Sequence, residues 1–165
     1  MILAGHSSIF TDASLEKCDT EASIGGVMID DERNARSKEF FSYRLSAQKL
    51  ASFQTESDRI ISTLETLPVV MSVKHWKARM LHRKVFILID NDAARHALIR
   101  MASSNLRTSA LLRDLANLQM RFPAYIWYSR VPSFSNIADA PSRGEFCNLK
   151  KRGYVRVSPS FDTSC

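Results

Sequence analysis

The chain has 165 residues, 45% of them hydrophobic and 24% charged, which is the size of one domain with enough apolar side chains for a core that needs no disulfide or metal staple. Its net charge is +6 and its isoelectric point about 9.5, so a polyanionic partner, nucleic acid first, is the expectation. No apolar run approaches the ~20 residues of a membrane helix. The N-terminus is too short and uncharged for a signal peptide, and Cys18, Cys147 and Cys165 lack metal or redox spacing. The expected protein is intracellular, cytoplasmic or nuclear, not secreted, with free thiols and no membrane partner.

Ser7 to Ser14 reads as a short strand closed by a carboxylate, Asp12. Lys17 to Glu21 is a polar turn, and Ala22 to Ile29, with Gly25 and Gly26, is a second strand. Asp30 to Asn34 reads as a loop with Asn34 suited to a left-handed conformation. Lys38 to Leu45 is a third strand, which completes an antiparallel meander.

Phe53, Ile60, Leu64, Leu67 and Met71 then repeat at helical spacing. Glu56 falls on the same stripe, where an unpaired charge is costly to bury; alternatively it favours the helix dipole. Asp58 and Glu65 lie elsewhere on the wheel and read as solvated charges. Pro68 should kink or interrupt the helix, which resumes from Val69 to about Leu81. That second part carries a basic cluster around one aromatic: Lys74, His75, Trp76, Lys77 and Arg79, followed by His82, Arg83 and Lys84.

Val85 to Ile89 is a wholly apolar run closed by Asp90, Asn91 and Asp92, the pattern of a buried strand. An acid at the carboxyl end of such a strand sits where open α/β sheets place their ligands. The alternative is a polar turn in which Asp90 or Asn91 caps the helix over Ala93 to Arg100. Ser103 to Asn105 breaks the pattern, and Leu111, Leu115, Leu118 and Phe122 mark another amphipathic helix that Pro123 ends. Ala124 to Ser129 is strand-like and aromatic. Arg130 to Asn136 is a loop, and Ile137 to Arg143 is a helical turn at most, because Pro141 cannot continue a helix begun before it. From Gly144 onward the chain is basic and polar, with Tyr154 to Val157 able to dock one strand. The order β-β-β-α-β-α-α-β implies an α/β fold with a five-stranded mixed sheet: an antiparallel meander 1-2-3 plus parallel strands 4 and 5, flanked by helices.

Four acids stand out by position: Asp12, Glu56, Asp90 and Asp139. The first and fourth strands lie side by side in this topology, so Asp12 and Asp90 can meet at one edge of the sheet. Converging carboxylates repel unless a hard cation neutralises them, and an all-oxygen set suits Mg²⁺ or Mn²⁺. Asp92 competes with Asp90, but inside a first helical turn it serves the helix dipole.

The sequence resembles a ribonuclease H domain. The resemblance is carried by Ile9-Phe10-Thr11-Asp12-Ala13-Ser14, Thr55-Glu56-Ser57, Ile89-Asp90-Asn91-Asp92-Ala93-Ala94 and the string from Val131 to Arg143. That last string, with its Asn136, Ala138-Asp139 and Ser142-Arg143, is similar to the end of ribonuclease H domains in retroelement polyproteins, the gypsy type included. The resemblance implies a ribonuclease H-like domain over 1–145 and a basic C-terminal tail over 146–165. It implies a metal site of Asp12, Glu56, Asp90 and Asp139 holding two Mg²⁺ ions, with Mn²⁺ able to substitute. The activity implied is endonucleolytic hydrolysis of the RNA strand of an RNA/DNA hybrid, leaving a 3′-hydroxyl and a 5′-phosphate. Implied nucleic-acid contacts are Ser14, Asn91, Arg130 and Arg143, with Glu56 also touching a 2′-hydroxyl. Lys74, Trp76, Lys77 and Arg79 could grip the duplex in place of the basic helix pair of some members, for which the link from Met101 to Thr108 is too short. The alternatives are a solvated face with Trp76 in the core, and a simple cap at Asn91. The loop before Asp139 also lacks the histidine that many members carry.

The implied partners are an RNA/DNA hybrid and a reverse transcriptase domain in the same polyprotein, and the implied state is a monomer. Two other readings share the fold: another nuclease or strand-transfer enzyme, and a non-catalytic nucleic-acid-binding module attached to a reverse transcriptase.

Overall fold

The computed structural model describes residues 5–15, 21–32, 35–53 and 60–160. Alternating burial along β1 (His6–Leu15) turns Ser7, Ile9, Thr11 and Ala13 to one face of the sheet. β1 pairs antiparallel with β2 (Ala22–Glu32), and β2 with β3 (Ala35–Leu45). Helix α1 (Ala47–Phe53) follows, and then the long helix α2 (Ile60–Met80). The run Val85 to Ile89 lies in β4 (Lys84–Ile89), which pairs parallel with β1. Next come α3 (Asp92–Arg100), α4 (Leu106–Gln119) and β5 (Tyr125–Arg130), the last pairing parallel with β4. A 3₁₀ turn at Ser133–Ser135 leads to α5 (Asp139–Ser142), α6 (Cys147–Lys151) and β6 (Val155–Arg156). The sheet is six-stranded in the order β5-β4-β1-β2-β3-β6. The sixth strand is the segment around Val155, which docks parallel on Glu39 and Phe40 of β3.

The meander and both parallel strands stand where the periodicity places them. The expected loop at Asp30 is instead strand, and β2 runs on to Glu32. Asp30 can stay in a buried strand because its charge is matched. Arg83 Nη2 lies 2.5 Å and Arg79 Nη2 3.1 Å from its carboxylate, and the Ser7 hydroxyl donates to it at 3.0 Å.

Two cores cover the two faces of the sheet. The larger lies under α2, α3 and α4; the smaller joins Val27, Phe40, Ala138 and Leu149 beneath α5 and α6. Within α2 every residue from Thr63 to Val73 is buried, because the helix packs on β1, β2 and β4 on one side and on α3 and α4 on the other. α2 also runs unbroken through Pro68, against the expected interruption. Packing on both sides holds the turns before and after the proline in line.

Of the expected nucleic-acid contacts on α2, Trp76 is withdrawn into the core and Arg79 is held in ion pairs. Trp76 is 2% exposed, packs against Phe41 with ring centroids 5.7 Å apart, and donates its indole N–H to Glu39 Oε2 at 2.8 Å. Its ring is core, on the face of α2 that also buries Val73 and Met80. Arg79 is committed to Asp30 and Glu39, at 3.1 and 2.7 Å.

Candidate active site

β1 and β4 run parallel with Phe10 opposite Leu88 as the last pair of their ladder. Asp12 and Asp90 each lie two residues beyond that pair, so the register brings the carboxyl ends of two adjacent strands together. β1 continues past the ladder, and the backbone N–H of Ala13 there bonds the carboxylate of Glu65 from α2. The result is a cluster of Asp12, Glu65 and Asp90 in which one carboxylate oxygen from each lies within 4.8 Å of the others.

The cluster is electrostatically strained. Asp12 is 5% exposed and Glu65 also 5%, while Asp90 is half-buried. Burial, and then the charges of Asp12 and Asp90, push the Glu65 carboxyl up to about 9. Burial likewise raises Asp12 to about 6 against the lowering hydrogen bond from Ser142, with Asp90 and Asp139 adding to the rise. Glu65 Oε2 is buried with no hydrogen-bond partner. Buried carboxylate oxygens are normally satisfied, so an unpartnered one on a residue clustered with two further acids calls for a cation. The donors are all oxygen, which fits Mg²⁺ or Mn²⁺ and not a metal that prefers nitrogen or sulfur.

Asp12 and Asp90 meet. Asp139 opens α5 and is near enough to Asp12 to act on its ionisation, while its own Oδ1 accepts from Arg143 Nε at 2.9 Å. Glu56 lies outside the described residues. Glu65, read from the sequence as a solvated charge, is buried in the cluster instead. The helical wheel assumes one solvated face, and α2 has none at this level. The signal that could have found it was the apolar and small-residue run on both sides, from Thr63 to Val73, with a lone acid inside. Asp92 stands apart from the cluster, within ion-pair distance of Arg95 and Arg130 at 3.2 and 3.4 Å.

No protein-family model matches the chain, and no curated protein matches its sequence. Solved structures do match. The N-terminal RNase H domain of a Mycobacterium tuberculosis protein superposes with a TM-score of 0.63 at 13% identity, over 91% of this chain and 99% of that one. RNase H1 of the halophilic archaeon Halobacterium salinarum gives 0.61 at 12% identity, over 87% and 99%. LC11-RNase H1, isolated from compost, gives 0.58 at 11% identity in its complex with an RNA/DNA hybrid, over 87% and 99%. This chain has the ribonuclease H fold.

On this ribonuclease H fold the remaining expected contacts divide. The Ser14 hydroxyl donates to the Ser142 carbonyl at 2.7 Å, beside the acids. Arg143 and Arg130 are exposed at the same end, each beside an acid. Lys74 and Lys77 lie on α2 nine and twelve residues beyond Glu65, which is roughly 14 and 18 Å along the helix axis. Lys74 sits 3.9 Å from Asp114 of α4. Asn91 is the N-cap of α3, its Oδ1 accepting from the Ala94 N–H at 2.9 Å. Asn91→Ala should therefore cost about 1 kcal/mol of stability, read as a lower midpoint in urea with an unchanged slope. Among the described residues no helix is long and apolar enough to cross a membrane.

Proposed function

We infer that this chain is a metal-dependent endoribonuclease that hydrolyses the RNA strand of RNA/DNA hybrids. The observation that carries the reading is the cluster of Asp12, Glu65 and Asp90 at the ends of β1 and β4, in which Glu65 keeps an unsatisfied buried oxygen, on a ribonuclease H fold. The hybrid bound to LC11-RNase H1, which shares the fold, supports the substrate class. The net charge of +6 suits a polyanion.

Asp12, Glu65 and Asp90 would hold the cations, with Asp139 completing the set from the exposed side. Two Mg²⁺ ions, or Mn²⁺ in their place, would supply a nucleophilic water and charge stabilisation for the departing 3′-oxygen, leaving 3′-hydroxyl and 5′-phosphate ends. The protein's own part is to converge three acids from three elements and to keep two of them out of water. Ser14 and Arg143 border the acids and would contact the backbone of the hybrid; Arg130 and Asn91 lie at the same strand ends. The Val131 to Arg143 string supports descent from a retroelement polyprotein with a reverse transcriptase as neighbour, and the domain is proposed to act as a monomer.

Cleavage of an end-labelled hybrid tests this. The RNA strand should be cut with Mg²⁺ or Mn²⁺ and remain intact with chelator. Cutting of duplex DNA in preference to the hybrid would assign another nuclease of this fold. Binding without cleavage, unchanged by Asp12→Asn, would assign a non-catalytic module.

A further inference from the structure

The string from Asn136 to Ser142 contributes more than Asp139. Asn136 and Ser142 are both buried, and both reach Asp12. The Asn136 side-chain amide donates to the Thr11 carbonyl at 3.0 Å and lies 3.5 Å from Asp12 Oδ1. Its Oδ1 accepts from the Ala138 N–H at 3.2 Å, which turns the chain into α5. The Ser142 hydroxyl donates to Asp12 Oδ2 and also lies 2.8 Å from the Asp139 carbonyl. A hydroxyl has one proton, so it serves these two acceptors in turn.

These contacts require the backbone of α5 to lie directly on the sheet. Gly25 stands opposite Asp12 in the β1–β2 register. A Cβ there would lie 2.5 Å from the Ser142 nitrogen and 2.9 Å from the Ala138 carbonyl oxygen. The missing side chain is thus what allows α5 to come down to Asp12. The arrangement also addresses both oxygens of Asp12 with neutral donors, whereas the nearby Arg143 is engaged by Asp139. Asp12 is oriented without being neutralised, as a ligand awaiting a cation needs to be.

We propose that Ser142, with Asn136 and seated by Gly25, is a positioning residue that presets the Asp12 carboxylate for its cation. The proposal rests on the reading of the acidic cluster as a metal site. An unheld carboxylate would have to be ordered on binding, and groups that orient a metal ligand typically contribute about 10–100-fold in affinity.

The test is calorimetric titration of Mn²⁺ into the full chain without nucleic acid, below the unfolding temperature of each variant. Wild type should bind, and Asp12→Asn should remove the binding. Ser142→Ala, which deletes a single oxygen, should weaken Mn²⁺ about tenfold. Gly25→Ala should weaken it too, and the double variant should be no worse than the poorer single one, because both changes break the same contact. If Gly25→Ala does not fold, Ser142→Ala decides alone. Mn²⁺ affinity in Ser142→Ala within about twofold of wild type would overturn the proposal while leaving the metal site standing. Absence of any Mn²⁺ binding that depends on Asp12 would overturn the metal site and this proposal with it.

Discussion

Glu65→Gln should abolish cleavage of the hybrid, with a loss of roughly 10³-fold, about 4 kcal/mol of transition-state stabilisation. Glutamine keeps the length of the side chain and an oxygen for the Ala13 N–H, so the site should stay packed. It cannot bring negative charge to a cation shared with Asp12 and Asp90. Asp12→Asn and Asp90→Asn should do the same, and in each case the protein should remain folded. The matching change at Glu56 provides the control: Glu56→Gln should retain near wild-type turnover. The opposite pattern, with Glu65→Gln active and Glu56→Gln dead, would move the fourth ligand back to the position the motif suggested. Single-turnover rates at saturating Mg²⁺ separate the two.

The second large effect is on stability without metal. Folding raises Glu65 from its ordinary 4.5 to about 9 and Asp12 from 3.8 to about 6. Between the lower and upper value of each group, the unfolded chain has lost the proton that the folded chain still holds. The folded state is therefore favoured less as pH rises through those windows. From pH 4.5 to 7, Glu65 alone should remove roughly 3 kcal/mol. In chelator, the melting temperature should fall between pH 5 and pH 8, and Glu65→Gln should flatten most of that slope. Glu65→Gln should also be the more stable protein at pH 8. Adding Mg²⁺ or Mn²⁺ should raise the melting temperature of wild type more at pH 8 than at pH 5, because the cation must displace the protons held at low pH. Parallel pH curves for wild type and Glu65→Gln would show that burial of Glu65 does not strain the fold.

Glu65 carries no periodic signature that sets it apart from a solvated acid, whereas the strands do carry theirs. Strands carry a period of two and end at polar residues, so β1, β4 and β5 could be read locally, and Asp12 and Asp90 with them. The break at Ser103 to Asn105 was equally visible, since Asn105 caps α4 with a bond from the Thr108 N–H at 2.9 Å. α2 is different. Its side chains from Thr63 to Val73 meet protein on every side, so no wheel could separate a buried acid from a solvated one. Trp76 is the same case from the other direction: a basic stretch surrounds it, yet its ring belongs to the core.

The sequence by itself determined the meander, the parallel strands, the two strand-end acids and the ribonuclease H fold, because each depends on residues close in the chain. It also marked Asn136, Asp139 and Ser142 as one string without saying what the asparagine and serine do. Only the tertiary structure decided that Glu65 joins Asp12 and Asp90, that Asp30 is a buried partner of Arg79 and Arg83, and that Ser142 closes on Asp12 over a bare glycine. Those contacts join residues from about 25 to 130 positions apart. A carboxylate's burial, its charge state and its partners are set by what the fold places around it, and no local pattern carries that information.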